Sequence, residues 1–438
     1  MRIELITIGD ELLLGFTIDT NAAHLAREFA AVGVQIVRRA TVGDDAADIA
    51  AAVRDALDRT GAVITTGGLG PTSDDLTKPA IAGSFGRDMV FDDTIWQGIR
   101  RLWTGRGWVG EPPEANRLQA MIPRGAEVIT NRHGSAPGIW LEDERGRWVA
   151  MLPGVPREMR GMLSEELMPR VRVRAVSNGS VVEEVIVSRT LRTTGIGEST
   201  LTDRLGDLAR RVGAMPLASL PGADGVDLRL TARGLDVAGA RAALDAGIAA
   251  LRAQVGPFAY GHDDDDLAAI VLQQARERGY RIAVAESCTG GLLGSRLTAV
   301  PGASDVVLGG VIAYANEIKT GLLSVRDEDI RTHGAVSEPV VRQMATGARR
   351  ATGAEIGVGI TGVAGPGGGT AAKPVGTVWV AVDVNGVVTA RRPVVVGDRE
   401  EIRRRAAQAA LDLVRWVLSD GPPRAATVAA FDGLPVPK

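Results

Sequence analysis

The chain has 438 residues, 50 basic and 53 acidic, for a formal net charge of −3, with 45% hydrophobic residues, 55 glycines and one cysteine. That cysteine, Cys288, excludes an intrachain disulfide framework or a zinc ribbon and suits a reducing compartment, and the charge balance, 18 basic against 19 acidic within 263–420, leaves nucleic-acid binding without electrostatic support. The N-terminus MRIELITIGDELLLG lacks the regions of a secretory signal and no 18-residue apolar run occurs, so a cytoplasmic protein without membrane spans is expected.

At ~100–200 residues per domain, this length predicts two to four domains. Residues 2–170 alternate short β-rich runs with helical patterns, the sign of a sheet with crossover helices. Arg2 to Ile8 reads as a strand, Asn21 as the cap of a helix running to Val32 and stopped by Gly33, Val34 to Val42 as a strand, Ala46 to Arg59 as a helix, and Ala62 to Thr66 as a short buried strand. Three loops follow these strands: Gly9 to Gly15, Thr41 to Asp45, and TGGLGPTSDDLT from Thr66 to Thr77. In a parallel sheet they share one edge, where open α/β sheets bind ligands. Their glycines would admit a phosphate, and Asp44 and Asp75 could hold a hard divalent cation bridging to it; ordinary α/β connections would have the same composition.

Pro156 opens a helix that ends near Pro169, and the polar stretch Ser177 to Ser180 marks a first boundary. Val181 to Arg192 and Asp227 to Arg233 then read as strands, and Ser199 to Val212 and Val237 to Val255 as helices, giving a small α+β module. PFAYGHDDDD marks a second boundary; its acid run Asp263 to Asp266 suits a helix N-terminus, with metal binding as the alternative. From Leu267 the α/β alternation returns: helix 267–278, strand Arg281 to Ala285, helix 290–298, strand Asp305 to Tyr314, helix 337–352, strand Glu355 to Thr361, strands 376–384 and 390–396, and helix 399–418. The tail GPPRAATVAAFDGLPVPK reads as a loose extension.

Chemistry concentrates in the last α/β segment. AESCTGG places Glu286, Ser287 and Cys288 where a strand meets a helix, so free N–H groups of the helix N-terminus could hold an oxyanion or a phosphate; a plain helix cap is the alternative. YANEIK ends the next strand and begins a helix with Lys319, one of only four lysines, the others being Lys78, Lys373 and Lys438; a surface lysine at a helix start is the alternative. A chain that covers its surface with arginine, which cannot act as a base, has reason to keep a lysine where a proton must be lost. A desolvated lysine can deprotonate a serine. GITGVAGPGGG would let backbone amides approach a phosphate or form a surface hairpin, and Arg399 at the start of the last helix could grip a phosphate bidentately.

AESCTGG, YANEIK, HGAVSEPVV, GITGVAGPGGG, KPVGTVWVA and GDREEIRRRAA, in this order over about 150 residues, resemble the CinA C-terminal domain, the nicotinamide-nucleotide amidase (PncC) family. The resemblance implies hydrolysis of nicotinamide mononucleotide to nicotinate mononucleotide and ammonia, with Ser287 as nucleophile, Lys319 as general base, Tyr314 and Thr361 in support, and Arg399, Gly290, Gly291 and Gly365 toward the substrate. Cys288 is the rival nucleophile. The N-terminal loops, with ANRLQAMIPRGAEVI, GSAPGIW and MLPGVPREM, are similar to the CinA N-terminal domain, a relative of the molybdopterin-binding MoaB and MogA proteins. This likeness implies a nucleotide or pterin pocket on Gly67, Gly68, Gly70, Thr72 and Asp10. It also implies metal-dependent ADP-ribose pyrophosphatase activity, with Asp44 and Asp75 toward a cobalt, magnesium or manganese ion. The middle module corresponds by position to the family's KH-like domain; residues 195–198 read Gly-Ile-Gly-Glu, and a spacer or dimerisation role is expected over RNA binding.

The expected architecture is therefore α/β: a MoaB/MogA-like domain over 1–172, a small α+β KH-like domain over 173–260, an amidase domain over 261–420 and a flexible tail over 421–438, assembled as a homodimer. The competing reading is a molybdopterin- or nucleotide-binding regulatory protein linked to competence or DNA damage, with only one active domain.

Overall fold

The computed structural model describes residues 1–177, 185–393 and 395–420. The expected tail, most of the polar stretch 177–180 and the expected strand start at Val181 lie outside the described residues. The chain divides into two compact units, Met1–Val187 with Ala232–Ala243, and Ser188–Thr231 with Leu244–Lys438. Among the described residues no helix is long and apolar enough to cross a membrane.

The first unit begins with β1 (Arg2–Ile8), α1 (Asp10–Leu13), α2 (Thr20–Ala30), β2 (Gln35–Val42), α3 (Ala46–Thr60), β3 (Ala62–Thr66) and α4 (Thr77–Ser84). It continues through β4 (Met89–Phe91), α5 (Asp93–Gly105), β5 (Met121–Pro123), β6 (Glu127–Ile129), β7 (Gly138–Glu142), β8 (Trp148–Leu152), α6 (Pro156–Met162) and α7 (Met168–Ser177). The main sheet runs β2-β1-β3-β8-β7-β6, its first four strands parallel and the last two antiparallel. Each central strand is apolar on both faces. Ile3, Leu5, Ile64 and Ala150 pack into one cluster, while Ile6, Ile8, Val63, Val149 and Met151 pack into another. Helices therefore cover both sides of a parallel sheet; WVAML reads as a continuous hydrophobic run, and RIELITI is interrupted by Glu4, whose buried carboxylate is paired with Arg59.

Two expectations for this unit are corrected. Asp19, whose side chain accepts from Ala22 N, caps α2, and Asn21 lies inside the first turn. The helix opened by Pro156 does not stop near Pro169. A π-helical turn over Leu163–Leu167 joins α6 to α7, and its wider register accommodates the missing N–H of Pro169.

The middle segment holds β9 (Val185–Thr193), α8 (Glu198–Leu205), β10 (Arg211–Val212), β11 (Met215–Pro221), β12 (Val226–Leu235), α9 (Val237–Val255) and β13 (Ala259–His262), in a sheet ordered β10-β11-β12-β9-β13. The helix expected to reach Val212 ends at Leu205, because Gly206 turns to φ 54° and the chain goes on to form the β10–β11 hairpin.

The last segment contains α10 (Leu267–Glu277), β14 (Ile282–Glu286), α11 (Leu292–Thr298), β15 (Val307–Ile312), α12 (Asn316–Leu323), α13 (Asp327–His333), α14 (Glu338–Thr352), β16 (Ile356–Gly362), β17 (Val378–Val384), β18 (Val387–Arg391) and α15 (Arg399–Asp420). Its sheet runs β15-β14-β16-β17-β18, with β15, β14 and β16 parallel. The last strand, expected over 390–396, lies earlier because Asn385 and Gly386 take φ 52° and 95° and close a two-residue hairpin directly after β17. The acid run resolves as a helix start: Asp266 caps α10 through Ala268 N.

Candidate functional site

The alternation of β14 decides where its last residues point. Ile282 and Val284 belong to the cluster that includes α10 and α15 residues, whereas Ala283 and Ala285 belong to the one built with Leu323, Val340 and Met344. Ser287 N donates to Ile360 O at 3.0 Å, so the parallel ladder continues one residue beyond the strand. Ser287 thus falls on the face covered by α12 and α14, and Cys288 returns to the opposite, apolar cluster. Burial, reinforced by the Glu286 charge, pushes the Cys288 thiol up to about 12. A buried protonated thiol is a poor nucleophile. Ser287 is half-buried.

Glu286 is buried beneath α11, where its carboxylate accepts from Gly291 N and Leu293 N, both at 3.0 Å, and from Gly294 N at 2.8 Å. The expected free N–H groups at this helix N-terminus are therefore already occupied, Gly291 among them, and Gly290 N donates to Ser287 O. The Cys288 and Thr289 N–H groups donate to no other described residue and remain as candidate oxyanion donors.

Lys319 is 1% exposed on α12. Its Nζ donates to Ala313 O at 2.7 Å and Tyr314 O at 3.1 Å, and burial lowers its pKa from the ordinary lysine value. Ala313 N in turn donates to Glu286 O at 2.7 Å, which sets these carbonyls beside the end of β14. A neutral amine has two N–H bonds and one lone pair. The two carbonyls use both N–H bonds and leave the lone pair. No hydrogen bond joins Lys319 Nζ to Ser287 Oγ in this state.

Thr361 follows Ile360 on the neighbouring strand, beside Ser287, and its Oγ1 donates to Ala335 O at 2.9 Å. Arg399 reaches over from α15, donating to Gly365 O at 2.6 Å and to the Tyr314 hydroxyl at 3.1 Å, and so ties the GPGGG loop to the end of the YANEIK strand. Ser287, Lys319 and Thr361 thus share one sheet face and one sheet end, with Tyr314, Gly365 and Arg399 joined by their own hydrogen bonds.

In the first unit, all three Gly-rich loops meet at the C-terminal edge of the parallel strands and line a cavity of about 520 Å³. Gly67, Gly68, Gly70, Asp44 and Asp75 line it; Asp10 and Thr72 do not. Gly67 takes φ 111°, and a Cβ there would lie 2.1 Å from Ile8 O, so only glycine fits where this loop crosses β1. Asp10 and Asp44 brace two loops reciprocally, Asp10 N to Asp44 Oδ2 at 3.0 Å and Asp44 N to Asp10 Oδ1 at 3.3 Å. Asp75 accepts from Gly70 N at 2.6 Å, Thr72 N at 2.8 Å and Thr72 Oγ1 at 2.5 Å. Gly67 N donates to Leu152 O and Gly70 N to Asp75, so of the three glycines in the TGGLGPTSDDLT loop Gly68 alone has an amide with no described acceptor. Among the described residues no group of three or more His, Cys, Asp and Glu could hold a metal ion. A magnesium-like ion is commonly held by one or two carboxylates plus phosphate oxygens, and the cavity lining includes the carboxylates of Asp44 and Asp75.

Sequence reasoning missed Asn21, whose Nδ2 donates to Gly154 O at 2.7 Å and Thr66 Oγ1 at 3.2 Å, and Glu158, which accepts from Asn131 Nδ2 at 2.6 Å. Both line the cavity, and Asn21 Oδ1 is buried without a partner. A buried amide in the first turn of an amphipathic helix was the available signal for Asn21. Lys78 was also passed over: 3% exposed on α4, it donates to Leu118 O at 2.7 Å and Gln119 O at 3.1 Å, and burial lowers its pKa to about 8.

Three family profiles match in chain order: the probable molybdopterin binding domain over residues 4–173, the damage-inducible protein CinA KH domain over 188–261 and the CinA C-terminal domain over 264–418. The CinA-like protein of Gemmatimonas aurantiaca is 64% identical over 415 residues, 95% of this chain and 96% of its own. Those of Prochlorococcus marinus and Desulfovibrio desulfuricans are 45% and 43% identical, over 96% and 99% of this chain and 96% and 100% of theirs. With three matching domains in the same order and end-to-end likeness to these relatives, the chain belongs to the CinA family.

Proposed function

We propose that the C-terminal domain deamidates nicotinamide mononucleotide to nicotinate mononucleotide and ammonia, with Ser287 and Lys319 as the catalytic pair. The observation that carries this reading is the buried Lys319 amine, with both N–H bonds of its neutral form taken by Ala313 O and Tyr314 O. In the reaction, Ser287 Oγ gives its proton to the Lys319 lone pair and attacks the carboxamide carbon. The oxyanion takes hydrogen bonds from the Cys288 and Thr289 amides. Lys319 returns the proton to the departing nitrogen, releasing ammonia and leaving an ester on Ser287, which water hydrolyses with Lys319 again as base. Thr361 holds the Ala335 turn beside the reacting centre, and Arg399 with Tyr314 receives the nucleotide's charged end. Ammonia release from nicotinamide mononucleotide by wild type, Ser287→Ala and Cys288→Ala is the test. Activity lost in the cysteine variant and kept in the serine variant overturns the assignment.

We infer for the N-terminal cavity a nucleotide diphosphate ligand, with ADP-ribose hydrolysed to AMP and ribose 5-phosphate. The Gly68 amide would meet a phosphate, and Asp44 and Asp75 would hold a divalent ion (cobalt, magnesium or manganese) that supplies Lewis-acid polarisation when bound. Asn21 would orient the ligand by its unpartnered carbonyl oxygen. A second reading, nucleotide or pterin binding without hydrolysis, draws on how fully Asp75 is engaged within its own loop. Incubation of ADP-ribose with a metal series separates the two: no hydrolysis with any divalent ion, alongside saturable binding, favours the second. A cytoplasmic homodimer is the assembly this reading assumes.

A further inference from the structure

A second cavity, of about 570 Å³, lies in the second unit, where the middle module's β11–β12 turn meets α10, α11 and α15. Four guanidinium groups, Arg296, Arg399, Arg403 and Arg404, face three carboxylates, Asp224, Asp266 and Glu400, and Leu292 is the apolar part of the lining. The charges are close but poorly joined. Arg296 lies 3.7 Å from Asp224 and 3.9 Å from Asp266, and Arg404 lies 3.8 Å from Asp224. Charge-assisted hydrogen bonds close to about 2.7–2.9 Å, as Arg276 does on Asp305 at 2.6 and 2.8 Å. Asp224 therefore sits between two arginines without hydrogen bonding to either. The Arg404 guanidinium donates no hydrogen bond to any described residue, and that of Arg296 donates one, to Gln408 Oε1 at 2.7 Å.

We propose that this cavity is a binding site for a compact polyanion of the diphosphate class, held by Arg296 and Arg404 from α11 and α15 in competition with Asp224. A diphosphate has more acceptor oxygens and more charge than one carboxylate, and it can present oxygens to both forks at once. The cavity volume suits a nucleotide-sized ligand, and its lining selects for charge over apolar bulk. Arg399 is the wall shared with the amidase, but its guanidinium is turned to Gly365 O and the Tyr314 hydroxyl. The elements that close the site also hold the catalytic turn: α11 follows it directly, and Arg403 on α15 donates to Thr289 O at 2.9 Å. On the other side Arg296 continues through Gln408 to Thr194 Oγ1 of the middle module at 3.3 Å.

Titration calorimetry of the full chain with inorganic diphosphate, ADP and inorganic phosphate at low salt tests the proposal. Diphosphate and ADP are expected to saturate and phosphate to bind more weakly. Arg296→Ala and Arg404→Ala are each expected to weaken binding by about tenfold or more, and Asp224→Asn to tighten it several-fold by removing the competing charge. Thermal melts verify that each variant is folded. Saturation by ADP but not by diphosphate identifies the first cavity as the source of the heat and overturns the proposal. So does diphosphate binding that is unchanged in both arginine variants, or that nicotinamide mononucleotide displaces competitively in a Ser287→Ala background, since the cavity would then be the phosphate end of the amidase site. The readout is binding, so it stands or fails apart from the assigned deamidation.

Discussion

Lys78 and Lys319 are the same device in two different surroundings. Each is almost wholly buried at the start of a helix, each donates to two successive backbone carbonyls, and burial lowers the pKa of each. Around Lys319, the ends of β14 and β16 bring Ser287 and Thr361 to the same face. Around Lys78, the charge that acts on the amine is Asp75, already engaged by Gly70 and Thr72, and Lys78 itself does not line the neighbouring cavity, whose hydroxyls are Thr7, Thr17, Thr20, Thr66 and Ser135. A desolvated lysine is therefore only half of a catalytic unit. On the proposed reading, what stands opposite the amine decides whether it moves a proton or fixes a loop.

The comparison breaks most sharply at the nucleophile. Ser287→Ala is expected to abolish ammonia release from nicotinamide mononucleotide while Cys288→Ala keeps most of it, measured by coupled ammonia assay. Next, Lys319→Met should cost roughly 10²–10⁴ in kcat. In the wild type kcat/KM should rise with pH through the lowered pKa of Lys319, because only the neutral amine accepts the serine proton. A wild-type profile that is flat in pH, or a Lys319→Met variant of full activity, would remove Lys319 from catalysis and make the two lysines alike. In the first unit, Asp75→Ala should lower ADP-ribose hydrolysis by at least about tenfold through loss of the loop brace and the metal-facing carboxylate, with deamidation unchanged. An equal fall in both activities points instead to global damage.

The smallest effect concerns stability. The folded pKa of Lys78 is about 8 against an ordinary value of 10.5. The unfolded chain then binds more protons between those values, and stability gains from this residue as pH rises across the window. Its protonated form costs roughly 3 kcal/mol at neutral pH. Urea unfolding at pH 7.5 and 9.5 should therefore show wild type gaining on Lys78→Met at the higher pH. A difference independent of pH falsifies a desolvated Lys78.

Elements and motif positions were legible because they follow from local pattern: continuous apolar strands, Gly-rich turns after them, and a lysine scarce enough to be noticed. Partners were not legible. AESCTGG announces a helix N-terminus with free amides, and only the fold shows that the glutamate of the same motif turns under α11 and takes three of them. Asn21 has the residue type of a cap, and its neighbour Asp19 takes that role because the Asn21 side chain is needed by Gly154, more than a hundred residues away. Ser287 and Cys288 differ by one step in sequence, and the two-residue period of β14 gives them opposite environments.

The buried Glu286 also bears on inhibition. Because it closes the turn from within, the backbone around Ser287 is held by the protein alone, while Ser287 Oγ and Lys319 Nζ are not hydrogen-bonded to each other. On the proposed mechanism, a small acylating reagent would meet a preformed turn whose hydroxyl has still to pair with Lys319, so covalent labelling of Ser287 would report that pairing. A reagent whose phosphate is aimed at the backbone N–H groups that open α11 would find that berth taken by the protein's own carboxylate, and on the proposed reading selectivity would have to come from Tyr314 and Arg399.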